Sequence, residues 1–176
     1  MTVRKAHGFA LIDMIFVCGI LGILASVAMP RLLLAKSAAG ASSAVASMRA
    51  IGSAQLTYAL TCGSGFYAPN LSTLGTAPPG STAPFIGGGL GAANTVTKAS
   101  YIIQMSATPF AGSPASCNGA AAGDGGQGFK AAADPNAAGN TRFFAINANN
   151  VIFEDVSTLF AIMPEAGQPA SGHILQ

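Results

Sequence analysis

The stretch GFALIDMIFVCGILGILASVAMP occupies residues 8–30 and decides how the rest of the chain is interpreted. Its only charged residue is Asp13. At about 1.5 Å per residue, a helix over residues 9–29 would be about 31 Å long, close to the roughly 30 Å hydrocarbon core of a bilayer. No second apolar run approaches this length. We therefore expect one membrane-spanning helix near the N-terminus and a weakly charged domain behind it.

The composition supports this division. Only 8% of the 176 residues are charged, whereas soluble domains typically hold about 25%. The low charge excludes a charge-rich disordered chain and a basic nucleic-acid-binding domain, so no nucleic-acid partner is predicted. The formal net charge of +2 equals the charge of Arg4 and Lys5, so the chain from residue 9 onwards is formally neutral.

Three interpretations fit a basic start followed by an apolar run. The first is a conventional signal peptide cleaved before Met29, after the small residues Ser26 and Ala28; its product would be an exported soluble binding protein. The second is a plain uncleaved anchor. Both leave Asp13 unexplained, because an acid inside an apolar membrane segment costs free energy and usually has a function.

The third interpretation is a resemblance to a known family. A basic leader that ends at Gly8 is followed by Phe9, by an acid at the fifth helical position (Asp13), and then by Gly22 and Pro30. This pattern resembles the class III leader of type IV pilins and type II secretion pseudopilins over the whole segment without a gap. The chain departs from the family at one position, because Asp13 stands where the family has Glu. The charge is kept, and the side chain is one methylene shorter.

The resemblance implies processing, partners and a location. A prepilin peptidase would cleave between Gly8 and Phe9, and the new N-terminus on Phe9 would be methylated. Asp13, one helical turn after Phe9, would reach either its own Phe9 ammonium or that of the next subunit. The resemblance implies the second pairing, which would set the register of a filament. The chain would then be a structural subunit rather than an enzyme, and it would polymerise with itself or with related pilins. An inner-membrane platform with an assembly ATPase would assemble the filament. The chain would lie first in the inner (cytoplasmic) membrane and then in a periplasmic or cell-surface filament. A pseudopilin of a type II secretion system is the alternative within the family.

Two features of the apolar segment concern helix packing. Gly22 and Ser26 are four residues apart, a small-xxx-small pair that allows helices to approach closely. Pro30 removes one backbone hydrogen bond and is expected to kink or loosen the helix locally.

Beyond Pro30 the Ala-rich sequence predicts an amphipathic continuation of the helix, with Met48, Ile51, Leu56 and Leu60 among the residues of its apolar stripe. The expected fold is α+β and type IV pilin-like, with a long N-terminal helix packed on a small antiparallel sheet of about three to four strands. The expected division is a cleaved leader, a membrane or filament-core helix, its amphipathic continuation and a sheet region with long Gly- and Ala-rich loops, over residues 1–8, 9–30, 31–62 and 63–176.

Local patterns place the smaller elements. Asn70 is expected to cap a one-turn helix that Gly75 ends. Alternation of β-branched and aromatic residues predicts strands and one clear hairpin; the candidate strands are residues 100–106, 141–147, 150–155 and 159–163. The late stretches GFYAPNLSTLG and RFFAIN resemble G-type pseudopilins more loosely.

The expected topology gives each of the three cysteines a location. Cys18 lies in the membrane segment and is interpreted as an inert apolar thiol. Cys62 and Cys117 both fall on the exported side, where disulfides persist. They are candidate partners for a bridge that would attach the loop region to the end of the helix, although their spacing does not fix the connectivity.

No motif in the sequence predicts catalysis or a resident cofactor. His7 and His173 stand far apart in sequence, and the glycine runs lack the strand–turn–helix context of a phosphate site. Calcium is the one ion that the resemblance suggests, because G-type pseudopilins bind it in their C-terminal loops. Its candidate ligands, which are more simply solvated loop carboxylates, are Asp124, Asp134, Glu154 and Asp155.

Overall fold

The computed structural model describes residues 7–137 and 139–175, and of residues 7–10 it describes the backbone alone. The chain divides into two compact units, one ending at Ala38 and the other beginning at Ala39. A single helix, α1 (His7–Thr61), contributes to both units. The predicted leader lies outside the described residues apart from the backbone of its last two residues.

The first unit is the apolar part of α1. The helix Leu11–Thr61 contains an 18-residue window with a mean hydropathy of 2.4, no part of which is buried. By length and composition, this helix is able to cross a membrane. Pro30 lies inside α1 and the helix continues past it. One N-terminal apolar helix of membrane-spanning length is therefore confirmed.

The second unit is built on one antiparallel sheet in which each strand pairs with the next along the chain. Within the described residues the sheet has six strands, so the expectation of three to four was too low. The α+β class with a long helix is confirmed. The strands are β1 (Thr95–Lys98), β2 (Tyr101–Ser106), β3 (Lys130–Pro135), β4 (Phe143–Asn147), β5 (Ile152–Asp155) and β6 (His173–Ile174).

Strands β2, β4 and β5 lie where the alternating pattern predicted them. The predicted strand over residues 159–163 is wrong, because this segment forms a turn in which the Met163 N–H donates to the Leu159 carbonyl at 2.8 Å. Strands β1, β3 and β6 were not predicted. β1 joins β2 through Ala99 and Ser100, which both have positive φ (49° and 66°), a two-residue hairpin turn without glycine.

One face of the sheet packs with the second-unit part of α1 in a single apolar cluster. Its largest fully buried side chains include Tyr58, Tyr101 and Phe144. The buried face of the helix differs from the predicted apolar stripe. Met48 and Ile51 are buried as expected, whereas two leucines of the predicted stripe are exposed. These are Leu56 at 46% and Leu60 at 76% exposure.

The other face of the sheet has its own small apolar cluster. Ala132, Ala145 and Phe153 project to this side and are covered by Leu159 and Met163. β3 therefore lies between two apolar layers, and the alanines of β3 at positions 131, 132 and 133 are fully buried. The turn over residues 159–163, which was predicted as a strand, supplies the side chains that cover this face.

A short helix, α2 (Leu71–Leu74), follows the end of α1 and confirms the predicted capping. The Asn70 side chain accepts a hydrogen bond from the Thr73 N–H at 3.0 Å, and Gly75 is the C-terminal cap. Gly75 also lies backbone to backbone against Gly91: a Cβ added to Gly91 would lie 2.9 Å from the Gly75 nitrogen and closer still to its Cα. Neither backbone has a flexible side chain that moves away to make room.

This contact predicts different effects on stability for two substitutions in one glycine-rich loop. Gly91→Ala is expected to lower the free energy of unfolding by about 1–3 kcal/mol, the usual cost of overpacking. Gly87→Ala is the matched control, because no atom lies within 4 Å of a Cβ at that position. There the loss of chain entropy in the unfolded state should leave stability unchanged or raise it by about 0.4–1 kcal/mol. Pulse proteolysis of the full chain across a urea series in detergent measures both, and equal effects would contradict the prediction.

Candidate functional site on the N-terminal helix

The residues predicted to direct processing and assembly lie on the first-unit part of α1. Gly8 and Phe9 belong to the helix by their backbone, and their side-chain surroundings fall outside the described part of the chain. Asp13 lies four residues after Phe9, one helical turn further on, and is exposed. The cleavage, methylation and register roles of these residues remain predictions.

Gly22 and Ser26 lie one turn apart on one exposed face of α1. No atom lies within 4 Å of a Cβ added to Gly22. The Ser26 hydroxyl donates to the Ile23 carbonyl at 2.7 Å, so its donor is satisfied inside the helix. This face therefore offers small size without an unpaired polar group, which suits close contact with another helix or with lipid.

The disulfide between Cys62 and Cys117 is present, with the two Cα atoms 4.9 Å apart. It closes a 55-residue separation between the residue after α1 and the long loop between β2 and β3. The Cys117 N–H also donates to the Cys62 carbonyl at 3.2 Å. The prediction of this pair is confirmed, and Cys18 is free and exposed on the apolar helix.

The next residue holds the same loop to α2. The Asn118 side-chain amide donates to the Thr73 carbonyl at 2.7 Å and to the Thr76 carbonyl at 3.0 Å. Two adjacent residues, one covalently and one by hydrogen bonds, thus attach the β2–β3 loop to the end of the helical region. Asn118 was not singled out in the sequence, because a loop asparagine carries no local signal for so distant a contact.

The four carboxylates considered for calcium each have their own partner. Asp124 accepts the Ala121 N–H at 3.1 Å, and Asp134 accepts the Thr158 hydroxyl at 2.7 Å. Asp155 accepts the Ser171 hydroxyl at 2.6 Å, and Glu154 forms an ion pair with Arg142. Among the described residues, no three His, Cys, Asp or Glu side chains come together as a metal-binding group.

Two of these carboxyl groups have pKa values displaced in opposite directions. The hydrogen bond from Arg142 lowers the pKa of Glu154 below its ordinary value. Burial raises the pKa of Asp134 above its ordinary 3.8, and the Thr158 hydrogen bond offsets only part of that rise. The Asp134 Oδ1 atom is buried without a hydrogen-bond partner, which is the structural cause of the raised pKa.

We expect Asp134→Asn to stabilise the chain at pH 7. A raised folded-state pKa means that the carboxyl contributes stability fully below its unfolded pKa and that this contribution is lost as the pH rises through the folded pKa. The gain at pH 7 should be up to about 1 kcal/mol, because a neutral amide replaces a partly unpaired carboxylate. It should shrink towards pH 3. Urea unfolding at both pH values measures it, with the exposed Asp124→Asn as control; a gain that is independent of pH would contradict the assignment.

Comparison with protein families, with curated proteins and with solved structures finds no match to this chain.

Proposed function

We propose that this chain is the structural subunit of a type IV pilus-like filament, matured at Gly8/Phe9 by a prepilin peptidase and polymerised through α1. The observation that carries the proposal is the combination of an exposed, membrane-length apolar helix with an acid, Asp13, one turn after the proposed new N-terminus. A plain anchor or an export signal gains nothing from that acid.

The chemistry of the proposed pairing supports this role. Cleavage before Phe9 creates an α-ammonium at the edge of an apolar segment, and an ammonium and a carboxylate in lipid each offset the other's desolvation when paired. In an intermolecular pair, the Asp13 carboxylate of one subunit would neutralise the Phe9 ammonium of the next, so each added subunit would complete one such pair. The disulfide supports the orientation, because such bridges persist on the exported, oxidising side.

The first test is mass spectrometry of the N-terminal peptide from the membrane fraction and from the sheared surface fraction. The proposal expects a peptide that starts at Phe9 and carries one added methyl group. A peptide that starts at Met29 would overturn it, because conventional signal peptidase cleavage would remove Asp13 and release the second unit as a soluble exported protein.

A matched pair of variants tests the role of Asp13 separately from cleavage. Asp13→Asn removes the charge at nearly constant size, whereas Asp13→Glu keeps the charge. We expect both variants to be cleaved before Phe9, and only Asp13→Glu to appear in sheared filaments at a level comparable to the original chain. Filaments assembled equally well by Asp13→Asn would exclude a register role for this charge.

A further inference from the structure

Asn118, which attaches the β2–β3 loop to α2, is followed by Gly119 in the only Asn-Gly dipeptide of the sequence. An asparagine side chain can react with the backbone nitrogen of the next residue. The reaction is easiest before glycine, because no Cβ crowds the attack and the backbone turns freely. Gly119 is exposed, with a φ of +100°, and no atom lies within 4 Å of a Cβ added to it. The surroundings of Gly119 therefore leave room for this rearrangement.

The folded chain holds the Asn118 amide away from that reaction. Its Nδ2 donates to the Thr73 and Thr76 carbonyls at 2.7 and 3.0 Å, and its Oδ1 accepts the Ser116 hydroxyl at 2.8 Å. Both donors of the amide and its acceptor are thus occupied by groups other than the Gly119 nitrogen. These hydrogen bonds must break before the side chain turns towards Gly119.

The disulfide fixes the backbone next to this amide. Cys117, the residue before Asn118, is bonded to Cys62 after the end of α1, and its N–H donates to the Cys62 carbonyl at 3.2 Å. The carbonyls that hold the amide belong to α2 and to the residues that follow it. Loss of the bridge would leave the hydrogen bonds alone to hold this exposed loop, so it would open more often.

We propose that Asn118 is a deamidation site that the oxidised fold suppresses and that loss of the Cys62–Cys117 bridge releases. The Gly119 N–H loses its proton, and its nitrogen attacks the Asn118 side-chain carbonyl carbon. The bond from that carbon to Nδ2 breaks, and Nδ2 takes up a proton and leaves as ammonia. Water then opens the cyclic imide at either of its C–N bonds, which leaves aspartate or isoaspartate. The proposal is independent of filament assembly.

The product does not fit the place that the asparagine occupies. An ionised carboxylate has no hydrogen to donate, so its negative charge would face the Thr73 and Thr76 carbonyl oxygens without a hydrogen bond. Isoaspartate also adds a methylene to the backbone. The loop would lose its hydrogen bonds to the helical region permanently, so the reaction would mark chains whose bridge formed late or was later reduced.

The test follows the Asn118 peptide by mass spectrometry while the full chain is incubated in detergent at mildly alkaline pH. The samples are the oxidised chain, the chain with a reductant, and the oxidised chain in urea, which gives the rate of the unprotected dipeptide. Asn94, which is exposed and followed by β-branched Thr95, is the internal control and should react more slowly than Asn118 in urea.

Deamidation of Asn118 should be at least about tenfold slower in the oxidised folded chain than in urea, because the hydrogen bonds of its amide must break first. Reduction should remove most of this protection. A Cys62→Ala/Cys117→Ala variant should react as fast as the reduced chain without any reductant present. A brief protease treatment separates reduced chains with a folded second unit from unfolded ones, and the two fractions are compared.

Equal rates in the oxidised and reduced folded chains would overturn the proposal, because the bridge would then not control the reaction. Deamidation confined to the protease-sensitive fraction would also overturn it, since global unfolding rather than release of the loop would expose Asn118. Equal rates in the oxidised folded chain and in urea would show that the fold gives no protection. A rate in urea no faster at Asn118 than at Asn94 would refute the site itself.

Discussion

Replacing Cys62 and Cys117 together by Ala is expected to lower the free energy of unfolding by about 4 kcal/mol. The bridge joins residues 55 positions apart, and in the chain-entropy model a loop of that length restricts the unfolded ensemble by about this amount. The double variant is preferred to a single one because a single substitution would leave the other cysteine of the bridge as an unpaired thiol. Since a small domain is stable by only about 5–15 kcal/mol, the loss is a large fraction of the total.

The measurement is urea unfolding of the full chain in detergent, with pulse proteolysis as the readout. Cys18→Ser is the control, because that thiol is free and exposed on the apolar helix, and the substitution should leave the unfolding midpoint unchanged. Chemical reduction of the original chain should reproduce the double variant. A loss below about 1 kcal/mol would mean that the unfolded chain stays restricted without the bridge, which would contradict the chain-entropy account for this loop.

The elements predictable from the sequence are those with a strong local pattern. The apolar run of α1 and the aromatic and β-branched residues of β4 and β5 specify helix and hairpin without reference to the rest of the chain. The cap of α2 was predictable for the same reason, because Asn70 and Gly75 act within one turn. The disulfide was predictable from compartment and position rather than from geometry.

The elements that were missed depend on distant contacts. The alanines of β3 have low strand propensity and no alternation, and they form the strand because β2 and β4 pair with it on both sides. The segment Leu159 to Met163 has the composition of a strand, yet it covers the outer face of the sheet as a turn. In both cases tertiary burial overrides local preference.

Functional residues, like the elements of the fold, are predictable only where they belong to a local sequence pattern. Gly8, Phe9, Asp13, Gly22 and Pro30 were singled out because one contiguous stretch of sequence resembles the class III leader. The roles proposed for them would involve a peptidase, lipid and further copies of the chain. The conformation of one chain specifies where these residues lie and not what they pair with. Gln55, by contrast, carries no sequence signal and is recognised only from its contacts.

We expect Gln55 to make the second large contribution to the free energy of unfolding. Its side chain is fully buried in the second unit. Its Oε1 accepts the Ala68 N–H at 2.8 Å, and its Nε2 donates to the Ala68 carbonyl at 3.0 Å. Nε2 also lies 3.1 Å from the Met105 sulfur. One amide thus satisfies both backbone groups of a residue that is itself fully buried.

Gln55→Leu is expected to lower the free energy of unfolding by about 3 kcal/mol, because it leaves a buried N–H and a buried carbonyl without partners at about 1–3 kcal/mol each. The matched control is Gln127→Leu, the same substitution at an exposed loop position, which should stay within about 0.5 kcal/mol. Similar losses for the two variants would show that the hydrogen bonds to Ala68 are not the source of the effect.

Gln55→Glu separates the hydrogen bonds from simple packing. The glutamate is nearly isosteric, and its ionised carboxylate retains an acceptor for the Ala68 N–H while facing the Ala68 carbonyl without a donor. Burial and this repulsion raise the folded-state pKa of the new carboxyl, so the variant should be strongly destabilised at pH 7 and should regain stability as the pH falls and the acid gains a proton to donate. Gln55→Leu has no such group and should show no recovery relative to the original chain. A Gln55→Glu variant whose stability, relative to the original chain, does not change with pH would mean that the carboxyl has turned out to solvent and that the Ala68 contacts are dispensable.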